Sequence, residues 1–346
     1  MSNRIRVLIV DDSAFARKVI REVLSSDPEI DVVGFARDGL EALERISEVR
    51  PDVMTLDLVM PDLDGLGVLR ALDRKLAPRV IIVSASAADS DLALEALQYG
   101  AVALVTKPTP LPTDRLYDLK TDLIAKVKAA ATARSNLDPV APPVVDRKNT
   151  LLKRTASARL VVIGTSTGGP QALTSLFKSL PAGLPVPLAI ALHIPAGYTA
   201  PLAARLSKLG SIQVDEARDG MELTPGRAVI APGGMHLKIR ERHGVFFAHV
   251  LHEPHDSLYH PSVDILFSSA AEAAGSGALA VIMTGMGSDG TIGSKAIRAS
   301  GGRVLAESSS SCIVYGMPRC VIEADLATKE APLEQLPDLL VSQIFG

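Results

Sequence analysis

Short apolar runs alternate with longer stretches of helical period through the first 130 or so residues. The runs are Ile5 to Val10, Ile30 to Phe35, Asp52 to Leu56, Val80 to Val83 and Ala101 to Val105; the periodic stretches include Ala14 to Leu24, Gly39 to Glu48 and Asp89 to Gln98. This alternation predicts an α/β unit, a parallel sheet with helices on both faces. In such sheets ligands bind beyond the carboxyl ends of the strands. From Leu123 a helical pattern continues through AKVKAAATARS, after which LDPVAPPVVDRKN, with prolines at 139, 142 and 143, predicts an extended connector. The expected division is a first domain over 1–125, a linker over 126–157 and a second domain over 158–346.

The second half opens on LVVIGTSTGGP, a buried strand from Leu160, a glycine-rich turn, and Pro170 where a helix begins. Further apolar runs follow at Leu184 to Leu192, ending in His193, and at Leu279 to Met283, which empties into TGMGSDG at 284–290. Pro201 to Leu209 and Ser262 to Ala274 have helical period, and Ile212 to Val214 is a short strand candidate. Between them AVIAP, MHLKI and VFFAHV, separated by Gly233-Gly234 and a turn around Gly244, read as hairpin chemistry. A second doubly wound, mainly parallel sheet is expected, with an antiparallel hairpin extending its edge.

Composition narrows the function classes. The 346 residues carry 36 basic and 39 acidic side chains for a formal charge of -3, with no electrostatic footprint for nucleic acid. Cys312 and Cys320 are the only cysteines, a poor disulfide framework that fits a reducing compartment. No apolar run has the length of a signal peptide core or a membrane span, so no membrane insertion is expected and the chain reads as cytoplasmic.

Charge in the first domain gathers at strand ends. Asp11 and Asp12 follow the first strand, Asp57 the third, Ser84 ends the fourth and Lys107 follows the fifth. Crowded carboxylates repel, and a hard divalent cation relieves that while drawing in a phosphoryl oxygen. Mg²⁺ held by Asp11, Asp12 and Asp57 is therefore expected, with Asp57 accepting a phosphoryl group that Ser84 and Lys107 bond and neutralise. Through IVDDS at 9–13, TLDLVMPDLDG at 55–65, VSAS at 83–86 and VTKP at 105–108 the region resembles response-regulator receivers. The resemblance implies a flavodoxin-like fold of five strand–helix units, a histidine kinase as phosphodonor, and a cis peptide at Lys107-Pro108. Leu104 stands where receivers usually carry an aromatic switch residue.

In the second domain Ser166, His193 and Asp289 fall at three strand ends of one sheet. Acyl transfer needs such a set: an imidazole takes the serine proton, and a carboxylate fixes the imidazole tautomer and its charged form. Backbone amides at Thr167 and Met286 are candidates for an oxyanion hole. Gly164 to Gly168 matches a G-x-S-x-G elbow, but the chain order Ser, His, Asp differs from the Ser, acid, His of α/β-hydrolases. No Walker A lysine or G-x-G-x-x-G spacing favours phosphate or dinucleotide at this turn. Taken singly, Ser166 is as consistent with a helix cap, and His193 with a core histidine; the three together carry the reading. His249, His252 and His255, with Glu253 and Asp256, have the spacing of a metal site on a helix, but Pro254 and VFFAHV favour a strand entering a solvated loop.

With GTSTGGPQAL at 164–173, HIPAGYT at 193–199, APGGMHL at 231–237, PSVDILF at 261–267, TGMGSDG at 284–290 and YGMP at 315–318, nearly the whole chain resembles chemotaxis response-regulator protein-glutamate methylesterases. The resemblance implies hydrolysis of γ-glutamyl methyl esters on methylated chemoreceptor cytoplasmic domains, with release of methanol, and deamidation of receptor glutamines at the same site. It also places Ser166, His193 and Asp289 on the family's triad, with no cofactor for that site. Leu192 and His260 depart from a glutamine and an arginine common in the family. The domain order suggests that the unphosphorylated receiver covers the serine's rim until Asp57 is phosphorylated. The alternative is a phosphorylation-controlled adaptor that binds receptors through an inactive esterase-like domain.

Overall fold

The computed structural model describes residues 4–72, 77–84, 89–107, 113–133, 156–252 and 257–346, with the backbone alone for 113–119. The chain divides into two compact units, one ending by Pro139 and the other starting at Val140.

In the first unit β1 (Ile5–Val10), β2 (Ile30–Ala36), β3 (Val53–Leu56), β4 (Arg79–Ser84) and β5 (Ala103–Thr106) alternate with α1 (Ala14–Leu24), α2 (Gly39–Val49), α3 (Gly65–Ala71), α4 (Ser90–Gln98) and α5 (Thr113–Thr132). All strand pairs are parallel, in the order β2-β1-β3-β4-β5, so β3 and the Asp57 that follows it are central. The inner strands are apolar on both faces, as strands covered by helices on each side must be. Ser13, Asp38 and Asp64 cap α1, α2 and α3 by accepting from the amides of Ala16, Glu41 and Gly67. The predicted end of this domain at residue 125 falls inside α5. Leu123, Val127 and Ala130 are buried at helical spacing, and the Ala133 carbonyl accepts from Arg79 Nε at 3.0 Å. An apolar stripe that continues to be buried carries the helix beyond the predicted boundary.

The second unit is built on seven parallel strands in the order β15-β14-β13-β6-β7-β10-β8. These are β6 (Leu160–Thr165), β7 (Leu188–Leu192), β8 (Gln213–Glu216), β10 (Arg227–Ile230), β13 (Ala278–Ile282), β14 (Arg303–Glu307) and β15 (Lys329–Ala331). Helices α6 (Gly169–Ser179), α7 (Thr199–Leu209), α8 (Val263–Ala274), α9 (Thr291–Ala299), α10 (Met317–Glu323) and α11 (Leu336–Phe345) connect and flank them. The run from Leu184 gives a strand only from Leu188, because Pro185 and Pro187 lack ladder donors.

The expected hairpin is present but does not extend the large sheet. AVIAP supplies β10, paired in parallel between β7 and β8, while β11 (His236–Arg242) and β12 (Val245–Leu251) join β9 (Glu222–Leu223) in a separate antiparallel sheet. The chain parts from the large sheet at Gly233, where a Cβ would lie 2.5 Å from the Pro195 carbonyl oxygen. Leu237, Ile239, Phe246 and Ala248 then share one core with Leu266, Phe267 and Ala270 of α8. Burying that face on α8 decides the hairpin's position, which strand periodicity alone does not reveal.

β6 and α8 approach so closely that a Cβ on Gly164 would stand 2.2 Å from Val263 Cγ1. Gly164→Ala should therefore displace the start of α8 and cost about 1–3 kcal/mol. Calorimetry of the full chain should show the second unit melting earlier; an unchanged midpoint would mean that α8 yields without cost.

Candidate active site

Adjacent parallel strands bring the predicted esterase residues together. Ser166 follows β6 and His193 follows β7; the His193 amide donates to the Thr165 carbonyl at 3.2 Å, and the Ser166 amide to the Thr284 carbonyl beyond β13 at 3.0 Å. The serine does not cap α6. Gly168, at φ 80°, occupies the cap position with no side-chain bond, a left-handed conformation suited to glycine.

Asp289 is held at the start of α8. Its Oδ2 lies 2.8 Å from His193 Nε2 and accepts the Val263 amide at 2.7 Å; its Oδ1 accepts the Ser262 hydroxyl at 3.0 Å and the amides of Asp264 and Gly290 at 2.9 and 3.1 Å. These groups include first-turn amides of α8, where orphan donors and the helix dipole favour negative charge. Burial would raise the Asp289 carboxyl, but the His193 bond and charge and the amides of Asp264 and Val263 outweigh it and hold the group below its usual range. It stays ionised.

An ionised carboxylate only accepts, so Nε2 of His193 carries the ring proton and Nδ1 holds the free lone pair. Nδ1 is buried and has no hydrogen-bond partner among the described residues. The acid therefore meets Nε2, and Nδ1 is the nitrogen available as base. Tyr259 stacks on the imidazole, ring centroids 4.2 Å apart and planes 7° from parallel, which fixes the ring's tilt.

The two oxyanion candidates lie on facing turns. No hydrogen bond occupies the amides of Thr167 or Met286 among the described residues. Gly285 lets the second turn close on the first, since a Cβ there would lie 2.8 Å from Ser166 Cβ. Thr284 ties both: its hydroxyl donates to the Thr167 carbonyl at 3.0 Å and accepts from the Val314 amide at 3.0 Å.

Asp264, also in the first turn of α8, accepts the amides of Gly290 and Gly293 at 2.9 and 2.7 Å. Burial, with the nearby Asp289 charge, pushes its carboxyl up to about 6 despite those two donors.

The first unit holds a second constellation. Asp11, Asp12 and Asp57 each offer a carboxylate oxygen, all within 4.8 Å of one another. Lys107 Nζ donates to Asp57 Oδ2 at 2.7 Å and stands 3.0 Å from Asp11 Oδ2, there as an ion pair without hydrogen-bond geometry. Burial pushes Asp11 and Asp57 above their usual range, with Lys107 offsetting only part; Lys107 itself is held up by the two carboxylates against its own burial. Ser84 Oγ is buried with no bond among the described residues, and Leu104 is buried with its carbonyl accepting from Lys126 Nζ at 2.8 Å.

Ser262, Tyr259, Thr284 and Asp264 escaped sequence reasoning as separate contributors, although Ser262 directly before an apolar helix carries a capping signal. Of the histidine cluster, His249, on β12, pairs with exposed Asp219 at 2.8 Å, while residues 253–256 lie outside the described residues, as does Pro108. Among the described residues only the aspartates of the first unit group as metal ligands, and no helix is long and apolar enough to cross a membrane.

Each unit matches a known protein family. Residues 161–340 match the family model for CheB methylesterase, and residues 7–118 that for the response regulator receiver domain. A protein-glutamate methylesterase/protein-glutamine glutaminase of Myxococcus xanthus (strain DK1622) is 57% identical over 97% of both chains, and one of Thermotoga maritima is 40% identical over 98% of both. The crystal structure of the Thermotoga maritima CheB methylesterase catalytic domain aligns with a TM-score of 0.52 at 39% identity, covering 54% of this chain and 98% of that one.

The Asp264 environment sets a pH signature. A carboxyl raised on folding contributes stability below its unfolded pKa that is lost as pH rises through about 6. Asp264→Asn keeps an acceptor for the two glycine amides and removes the charge beside Asp289. Its thermal midpoint relative to wild type should improve by roughly 2–4 °C between pH 5 and pH 8; a constant difference would show that folding does not raise the Asp264 carboxyl.

Proposed function

The chain belongs to the CheB methylesterase family, and we propose on that basis that it is a receiver-controlled protein-glutamate methylesterase acting on γ-glutamyl methyl esters of chemoreceptor cytoplasmic domains. The observation that carries the catalytic reading is the Asp289–His193 pair, which leaves a buried, unpartnered imidazole nitrogen at the strand end next to Ser166.

In the first step Ser166 Oγ attacks the ester carbonyl carbon as its proton passes to His193 Nδ1. Asp289 stabilises the imidazolium through Nε2, and the amides of Thr167 and Met286 receive the oxyanion. Collapse breaks the bond to the methoxy oxygen, which takes the proton from Nδ1 and leaves as methanol. Water, deprotonated by the same nitrogen, then attacks the acyl-enzyme and returns Ser166 and a glutamate carboxylate. A glutamine side chain follows the same course with ammonia as leaving group. No cofactor enters these steps.

In the receiver, the carboxylates of Asp11, Asp12 and Asp57 form the oxygen donor set that a hard divalent cation takes, and buried Asp11 Oδ2 has no hydrogen-bond donor among the described residues. We assign them to Mg²⁺, which when bound neutralises the carboxylates and draws in a phosphoryl oxygen. On this reading Asp57 is the acceptor of phosphate from a histidine kinase, and Lys107 and the Ser84 hydroxyl bond its oxygens. The working compartment is the cytoplasm, where kinase and receptor cytoplasmic domains meet.

With methylated receptor membranes as substrate, Ser166→Ala should reduce methanol release on the order of 10⁴-fold while leaving receptor binding intact. Hydrolysis surviving in that variant would remove Ser166 from the mechanism. A small phosphodonor with Mg²⁺ should accelerate wild type and leave Asp57→Asn at its basal rate; equal acceleration of the two would place the control elsewhere.

A further inference from the structure

One fully buried carboxyl is not used by the mechanism. Glu307, the last residue of β14, is wholly enclosed; its Oε2 accepts the Thr284 amide at 2.8 Å and its Oε1 accepts the Ser311 hydroxyl at 2.9 Å. Ser311 Oγ in turn accepts the Leu333 amide at 2.8 Å. No ion pair reaches Glu307 among the described residues, and the other titratable groups acting on it are the Cys312 thiol and, on the segment after β15, Glu334.

Thr284 joins this carboxyl to the nucleophile. Its carbonyl accepts the Ser166 amide at 3.0 Å and the Thr165 hydroxyl at 2.7 Å, while its hydroxyl bonds the Thr167 carbonyl and the Val314 amide. Every polar atom of Thr284 is thus committed, and the only one not bonded to the nucleophile turn or the 314 loop is bonded to Glu307. The next residue, Gly285, packs on Ser166 and leads to Met286.

We propose that Glu307 is a positioning residue for the esterase: it anchors Thr284, and through Thr284 the backbone that carries Ser166 and the oxyanion amides. The inference rests on the reading of Ser166 as nucleophile. A carboxylate suits the post, because the two groups that meet it are both donors and it offers acceptors alone. Enclosure without a cation is costly to that charge. Burial raises the carboxyl to about 7, the Thr284 amide, Ser311 hydroxyl and Cys312 thiol offsetting part of the shift.

Two opposite pH effects result. A carboxyl raised on folding favours the fold in its protonated form, so its contribution to stability is present below the unfolded pKa and is lost as pH rises through about 7. The ionised form is the better acceptor for the Thr284 amide, so the hold on Ser166 strengthens over the same rise. Acidification through neutrality should steady the fold and slacken the site together. A merely structural residue would move activity and stability in the same direction.

The test uses the full chain with phosphodonor and methylated receptor membranes, measuring kcat, KM and thermal midpoint across neutrality. Glu307→Leu, which strands the Thr284 amide, should lose on the order of 10- to 100-fold in kcat with KM unchanged. Glu307→Gln keeps an acceptor for that amide and should retain kcat within about three-fold at pH 8. It should lack the part of the wild-type decline in kcat that comes from Glu307 taking up a proton. A Gln variant whose kcat–pH profile superimposes on wild type, or a Leu variant within two-fold of wild-type kcat, would overturn the proposal. If the Leu variant fails to fold, the Gln profile decides. Loss of activity in Ser166→Ala alongside either overturning result would sink the role of Glu307 and leave the esterase reading standing.

Discussion

The placement of one carboxylate at the start of α8 governs the geometry of the candidate site. Asp289 takes a pair of helix amides, a further turn amide, the Ser262 hydroxyl and the His193 ring on two oxygens. That many donors outweigh the cost of burial and keep the charge in place. With the charge fixed, the imidazole has one tautomer, one orientation and one free nitrogen. Other contacts secure the same arrangement. The missing side chain of Gly164 lets α8 come down on β6, Asp264 ties the 290–293 turn to the same helix, and Tyr259 lies flat on the ring.

Glu307 shows the reverse balance. Asp289 has the donors and the His193 partner to remain ionised at the helix start, whereas Glu307 meets no cation among the described residues and burial raises its carboxyl to about 7. The pair illustrates how burial, set against the donors and any cationic partner that meet the group, decides which state a buried acid adopts. In the first unit the same principle applies to Asp11 and Asp57, where a single lysine does not compensate fully for burial and crowding.

Much of this was legible in the sequence because the chemistry sits at strand ends. Strand ends can be read where apolar runs stop, so Asp11, Asp57, Ser166 and His193 could be placed before any coordinates. The hairpin was legible as a hairpin but not as a separate sheet, since its partner face on α8 lies far away in the chain. The helical pattern through AKVKAAATARS was legible as well, and the apolar stripe buried along it carries the last helix past residue 125. Glu307 and Thr284 were opaque for another reason. Nothing in a strand ending in glutamate reveals that no counter-ion will meet it. The use of Nε2 rather than Nδ1 toward the acid is likewise a property of three-dimensional approach alone.

The lateral order β13-β6-β7 has one more consequence. Neighbouring strands in a sheet are about 4.8 Å apart, and this spacing is fixed by backbone hydrogen bonds rather than by loop conformation. The serine, the histidine and the turn that brings the acid are mounted on that grid, so their separation is a property of the most rigid part of the unit. A signal has little to assemble there. What remains adjustable is the fraction of time for which a receptor side chain can enter, so control of such a site is naturally control of traffic rather than of tooling.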